Sequence, residues 1–382
     1  MIGTEFIFIT CQAGAESVLK HEVSREWPTF KLAYSRPGFI TFKVAPDADV
    51  GPGFDLRCVF ARAYGISLGK AEGSTTAERA MFAAMLARQR LPGQLRLNVW
   101  EREKTDPSFQ QPEEPSGEPS PLVREAESAI RAAQDGLFLP EGEAGNGDVV
   151  FSVVLVEPDE WWIGYHLHSR YHRPWSGGLA KFTLPAAAPS RAYLKLREGI
   201  NWPGLPVKKG EVALELGSAP GGASLALLEQ GLSVIGVDPA DMDKSVVAHE
   251  GFRHVRLQAK QLKPEDTGAV DWLFSDMNVD PYDAVDAVEK VMKGLGTVAP
   301  QRLLGALLTL KLTSWTKPLE VPELVRKLME RLLTVGFVRV QAGQLFYNRR
   351  EVCVACFTPA GELRLNPPAA PAEKKQTRTG RR

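Results

Sequence analysis

Residues 214–224 read LELGSAPGGAS. An apolar run, Val212 to Leu216, enters a glycine-rich turn that opens into a helix-like stretch at 221–230. A strand passing through such a turn into a helix is how parallel sheets build a ligand site at their carboxyl edge. The surrounding sequence extends the pattern. Apolar runs at 211–216, 233–237, 271–275 and 303–310 alternate with helical stretches at 221–230, 281–294 and 319–335, and strand-like 337–341 and 351–357 close the unit. That alternation predicts an α/β, Rossmann-like doubly wound sheet over residues 179–358.

The turn itself narrows the ligand. A dinucleotide fingerprint needs glycine at 217, 219 and 222, whereas this chain has Gly217, Ala219 and Gly222. The missing middle glycine is the one that lets pyrophosphate approach the backbone. Pro220 has no N–H to offer an anion, and no Gly-Lys-Ser/Thr follows to make a P-loop. The turn suits an adenosine-type ligand that lies on it without a phosphate, and S-adenosylmethionine is such a ligand. Asp238 ends the next strand-like run, 21 positions after Gly217, where a carboxylate can hold a ribose diol. The expected cofactor contacts are Gly217, Ser218, Ala219, Pro220, Gly221, Gly222, Asp238 and Asp276. The bland alternative is a turn that only lets a helix pack on a strand.

Ahead of this unit, EFIFIT at 5–10, a helical stretch at 14–26 and GFITFKV at 38–44 predict a small α+β domain over residues 1–72. A second unit over 73–178 has helices at 76–90 and 122–134 and strands at 95–100, 148–156 and 160–168. Within it, residues 105–121 hold five prolines, four acidic residues and no basic one. That composition predicts a disordered insertion. Residues 359–382 end AEKKQTRTGRR and are expected to form a disordered basic tail.

Composition excludes several classes. The 382 residues carry 46 basic and 46 acidic side chains, so global charge does not advertise a polyanion partner and only local patterning could. No apolar run approaches the roughly 18 residues of a membrane span, and the N-terminus lacks the basic start of a signal peptide. A cytoplasmic address without membrane contact is expected. The four cysteines are too scattered for a disulfide scaffold.

Four polar residues interrupt contexts that need a reason for them. Lys195 sits in SRAYLKLREG, a short helix with Ser190 as its expected cap. Asp276 and Lys311 end strands, and Glu351 begins one. In a doubly wound sheet Asp276 and Lys311 emerge together at the carboxyl edge. Taken singly, each could be an ordinary solvated strand-end charge. Together SRAYLKL, GSAPGG, SDM, the strand-end Lys311 and RREV fall in the order of the FtsJ-type ribose 2′-O-methyltransferases, which this sequence resembles over about residues 185–357.

That resemblance implies a Lys-Asp-Lys-Glu tetrad of Lys195, Asp276, Lys311 and Glu351, an RNA substrate and S-adenosylmethionine as methyl donor, with no metal. GQLFYNRREV and the layout of the front half are similar to the branch that methylates a cytidine ribose of 23S rRNA. 23S rRNA or a large-subunit precursor is then the implied partner, and residues 73–178 are expected to be a THUMP-like RNA-binding domain behind a ferredoxin-like 1–72. The oligomeric state stays open. In the family Lys311 is the proposed base. A free lysine titrates near about 10.4, and the neighbouring Lys195 ammonium is expected to lower that value.

Residues 165–197 contain six Arg or Lys, three His, five aromatics and no Asp or Glu. Basic groups contact phosphates and rings stack on unpaired bases, so Arg170, Arg173, Trp175 and Arg191 are expected to bind RNA. The alternative is a polar linker with some buried rings. His166, His168 and His172 have no acidic or thiol neighbour within that stretch to complete a metal site. Cys353 and Cys356 point to opposite faces of one strand. Two rivals stay open: a THUMP-type base methyltransferase, although Ser275-Asp276-Met277-Asn278 stands where that chemistry wants Asn/Asp-Pro-Pro-Tyr, and an inert RNA-binding assembly factor.

Overall fold

The computed structural model describes residues 5–105, 118–298, 302–312, 317 and 319–367. Its front half holds β1 (Phe6–Thr10), α1 (Glu16–Glu26), β2 (Lys31–Arg36), β3 (Phe39–Lys43), β4 (Ala63–Lys70), α2 (Thr76–Arg90), β5 (Arg96–Glu101), α3 (Pro121–Ala133), β6 (Val149–Glu157) and β7 (Glu160–Leu167). The seven strands form one sheet, ordered β2-β3-β1-β4-β7-β6-β5. β4 pairs with β1 along one edge and with β7 along the other. The boundary expected at residue 72 thus falls between elements of a single sheet.

β2 and β4 escape sequence detection for physical reasons. β2 is an edge strand with no buried residue, so it shows no apolar alternation. β4 carries two glycines and a register irregularity; a Cβ at Gly65 would fall 2.5 Å from the Tyr165 carbonyl oxygen. α2 starts where Thr75 and Glu78 form a capping box, which satisfies backbone donors that the first helical turn leaves open.

The back half adds α4 (Ala192–Asn201), β8 (Val212–Leu216), α5 (Gly222–Glu229), β9 (Ser233–Val237), α6 (Lys244–Val247), β10 (Phe252–Val255), α7 (Pro264–Thr267), β11 (Trp272–Ser275), α8 (Pro281–Val298), β12 (Gly305–Lys311), α9 (Val321–Thr334), β13 (Arg339–Gly343), β14 (Glu351–Phe357) and α10 (Pro359–Leu365). The strand order is β10-β9-β8-β11-β12-β14-β13. The first five run parallel, and β14 is antiparallel to both of its neighbours, β12 and β13. β8 and β11 are adjacent although far apart in sequence, so the strand order reverses there, and a crevice opens beyond their carboxyl ends.

Helices α4 and α5 cover one face of this sheet. α8 and α9 cover the other, in an apolar core that continues into α1 and β1 of the front half. The two halves share that core. Cys353 and Cys356 lie in the cores on opposite faces, as the strand period requires.

The chain after 358 departs from expectation. Instead of a disordered tail starting there, Pro359–Leu365 is a helix capped by Thr358. Gly361 packs so tightly on Leu304 that a Cβ would lie 1.8 Å from its carbonyl oxygen. Burying that backbone outweighs the polar composition downstream. Residues 368–382, and 106–117 of the expected insertion, lie outside the described residues.

Candidate active site

The glycine turn is shaped by what packs behind it. Gly217 has φ +78°, and a Cβ there would fall 2.9 Å from Met277 Cα, so both backbone and space demand glycine. Gly221, at φ +115°, starts α5. Asp238 accepts from the Ala219 N–H at 3.1 Å and from the Ala240 N–H at 2.8 Å. Each carboxylate oxygen keeps a second lone pair, so Asp238 shapes the turn and can still receive a diol.

Beside it lies a cavity of about 710 Å³ lined by Gly217, Asp238, Met277, Asn278 and Lys260, among others. That size is within the roughly 300–1,000 Å³ that small-molecule sites span, and its lining carries Asp238, Asp283 and Asp286 together with Lys260 and Lys290. Of the turn, Gly217 alone lines this cavity. The Ser218 hydroxyl is buried and donates to Met242 Sδ at 3.4 Å. Gly222 is buried beneath Ser190. Both positions are packed, because the turn must bring α5 close against the sheet.

The four charged residues converge. Lys311 and Glu351 face each other as register partners on β12 and β14, and Lys311 Nζ lies 2.6 Å from the Glu351 carboxylate and 2.8 Å from Asp276 Oδ1. Lys195, on α4, is 2.8 Å from Glu351 and 3.5 Å from Asp276 Oδ2. Two ammoniums thus alternate with two carboxylates around a closed, charge-balanced ring whose side chains are at most 20% exposed.

The electrostatics reverse one expectation. Burial pulls the Lys311 ammonium down, but Asp276 and Glu351 outweigh it and hold its pKa well above the ordinary lysine value. Two contacting carboxylates beat the single neighbouring ammonium invoked for a lowered value. At rest Lys311 is a firmly protonated donor to both acids.

Three buried residues support the ring, and the sequence reading missed them. Glu198 is fully buried one helical turn after Lys195 and accepts from the Phe346 and Tyr347 N–H groups at 2.8 and 2.9 Å. It pins the loop that leads into Glu351. Asn348 donates to Glu351 at 3.4 Å. The signals were spacing: both lie three positions from a tetrad member.

The third, Glu215, takes a hydrogen bond from the Ser224 hydroxyl. Burial pushes its carboxyl up from 4.5 to about 8, with Asp276 and Asp238 adding to the rise. The folded chain therefore keeps a proton that the unfolded chain loses above pH 4.5, and stability falls as pH rises from there to about 8. Glu215→Gln removes this cost while keeping an acceptor for Ser224. The variant is expected to gain stability over wild type by roughly 2–4 kcal/mol at pH 8 but far less near pH 5. Urea unfolding at both values checks this; an equal gain at each would refute it.

The expected RNA-contacting residues separate. Arg173 is buried and donates to the Ala61 and Gln344 carbonyls at 3.1 and 2.8 Å, bridging the two halves. Trp175 is buried and donates to Glu143 at 2.9 Å. Both side chains are held inside by these partners. The linker passes between the halves, and its basic and aromatic groups serve backbone carbonyls and core there. Arg170 is exposed and Arg191 is half-buried.

His166, His168 and His172 are buried with ring centroids 4.2–5.9 Å apart. Burial and His168 push His172 down to about 3. Among the described residues no group of three His, Cys, Asp or Glu is arranged to hold a metal ion, and no helix is long and apolar enough to cross a membrane.

Comparison with known proteins agrees with this geometry. Residues 188–342 match the FtsJ-like methyltransferase family. A protein of Alkalilimnicola ehrlichii named ribosomal RNA large subunit methyltransferase M is 33% identical over 202 residues, which is 50% of this chain and 52% of that protein. The chain thus spans about half the length of that relative. One of the same name from Halorhodospira halophila is 27% identical over 355 residues, covering 90% of this chain and 94% of its own.

Proposed function

From the match of residues 188–342 to the FtsJ-like methyltransferase family, we propose that the protein is an S-adenosylmethionine-dependent RNA ribose 2′-O-methyltransferase acting on a cytidine of 23S rRNA. The observation that carries this reading is the closed Lys195–Asp276–Lys311–Glu351 ring at the carboxyl edge of the sheet, beside the Gly217 cavity. The relatives named for large-subunit ribosomal RNA support the substrate, and with it a cytoplasmic location.

S-adenosylmethionine, when bound, supplies an electrophilic methyl on a sulfonium. Gly217, Asp238 and Met277 would hold it in the cavity, close to Asp276. The chain's own residues must then orient a ribose hydroxyl and remove its proton. Lys311 is the base once it has lost one of its three protons. Asp276 governs that loss, because sharing its charge with a cationic donor weakens its hold on the ammonium. Glu351 bridges both lysines and fixes their positions relative to the hydroxyl, so that alignment supplies much of the gain. No oxyanion hole is needed, since positive charge is dispersed during the transfer.

Incubating the protein with labelled S-adenosylmethionine and unmodified rRNA, followed by alkaline hydrolysis, tests the reading. Label in alkali-resistant dinucleotides that begin with one cytidine is expected. Label in mononucleotides would mean base methylation, and no label would leave an RNA-binding protein without this activity.

A further inference from the structure

A second cavity, of about 370 Å³, lies between the two halves of the molecule, and its charge is one-sided. Arg57, Arg62, Arg170, Arg173 and Arg339 line it, with Asp55 as the one acidic residue among its lining groups. Three buried nitrogens of these arginines have no hydrogen-bond acceptor among the described residues: Arg62 Nε, Arg173 Nη1 and Arg339 Nη2. Arg339 Nε pairs with Glu362 at 2.7 Å, and the Arg62 guanidinium also pairs with Glu103. Buried donors rarely go unpaired, and so many around one cavity call for a strong external acceptor.

Two further arginines are exposed at its mouth. Arg57 is held at φ +55°, a left-handed conformation costly for a side chain of this kind, with its guanidinium 5.1 Å from the Trp27 ring centroid. Arg170 lies 5.2 Å from the ring centroid of Tyr171, which is itself 44% exposed. Guanidinium forks match phosphate oxygens, and a half-exposed ring beside them can stack on an unpaired base.

We propose that this cleft is a second RNA contact, in which Arg57, Arg170 and Arg339 hold a backbone phosphate of a single-stranded stretch while Tyr171 receives a base. The inference rests on the RNA-methylating reading and places a contact away from the tetrad. Arg339 pairs with Phe357 at the far end of β14 from Glu351, about 20 Å along the strand. RNA bridging the two would be gripped at both ends of the sheet edge. The volume exceeds what a lone phosphate fills, and the cleft joins both halves of the chain, which favours a polymer over a free anion.

Full-length wild type and the double variant Arg57→Gly/Arg170→Ala would be titrated with a short fluorescein-labelled single-stranded RNA across a range of salt. Glycine relieves the left-handed backbone at 57, so weaker binding would not reflect misfolding. Roughly tenfold weaker binding is expected, with a salt slope shallower by about one to two. Unchanged affinity and slope would overturn the cleft. Loss of adenosine monophosphate or inorganic phosphate binding, with RNA affinity intact, would mark a free-phosphate site and also overturn it. Methyl transfer is read separately: RNA binding that weakens in the variant while no ribose is methylated supports the cleft and refutes the reaction.

Discussion

Lys311→Ala is expected to lower methyl transfer to RNA by a factor on the order of 10²–10⁴, the usual worth of a positioned acid or base, while S-adenosylmethionine still binds. The side chain lies 2.6 and 2.8 Å from two carboxylates and lines neither the glycine turn nor the donor cavity. The wild-type rate has a further signature. Because Asp276 and Glu351 hold Lys311 protonated to well above the ordinary lysine value, the fraction of free base grows about tenfold per pH unit across the neutral range. Turnover should therefore climb with pH to the alkaline limit of stability, and the residual rate of Lys311→Ala should lose that slope. Lys311→Met, which keeps the apolar stem, controls for packing. Single-turnover rates and equilibrium dialysis with labelled donor measure the two halves. Wild-type turnover in either variant would sink the assignment, as would loss of donor binding in both.

Glu198→Ala is expected to destabilise the fold by roughly 3–5 kcal/mol, the scale for removing one partner of a buried charged network. Glu198 is fully buried, and its two oxygens take the Phe346 and Tyr347 N–H groups. Alanine leaves both donors without acceptors in the interior, each costing about 1–3 kcal/mol, and leaves the nearby Arg173 guanidinium less compensated. The loop so released leads through Asn348 into Glu351, so the transfer rate should fall further than donor affinity. Glu198→Gln keeps one acceptor and is expected to lie between. Urea unfolding checks the first effect and single-turnover rates the second; a loss below about 1 kcal/mol would show that the loop is held by other contacts.

The back-half strands and the four tetrad residues were legible because each leaves a local mark. A buried parallel strand reads as an apolar run, and a charge at its end stands out against that run. Glu198 and Asn348 left weaker marks, since a carboxylate in a helix and an asparagine in a loop look like surface groups until their partners are known. Arg173 and Trp175 are likewise placed by partners that their own stretch of sequence does not show. A basic, aromatic linker has one composition whether it meets RNA or plugs the seam between two halves, and the carbonyls of Ala61 and Gln344 that claim Arg173 lie far away in sequence.

The chain's own letters therefore determined the doubly wound sheet, the glycine turn at Gly217 and the identity of the four ring residues, because local spacing and strand-end position encode all three. Tertiary structure alone decided that a single sheet runs through the whole front half, that Lys311 rests fully protonated, and which arginines are left with unmet donors. Those depend on what stands across the fold. A pKa or an unpaired N–H is set by neighbours within a few ångströms, and folding draws those neighbours from segments tens to hundreds of residues apart.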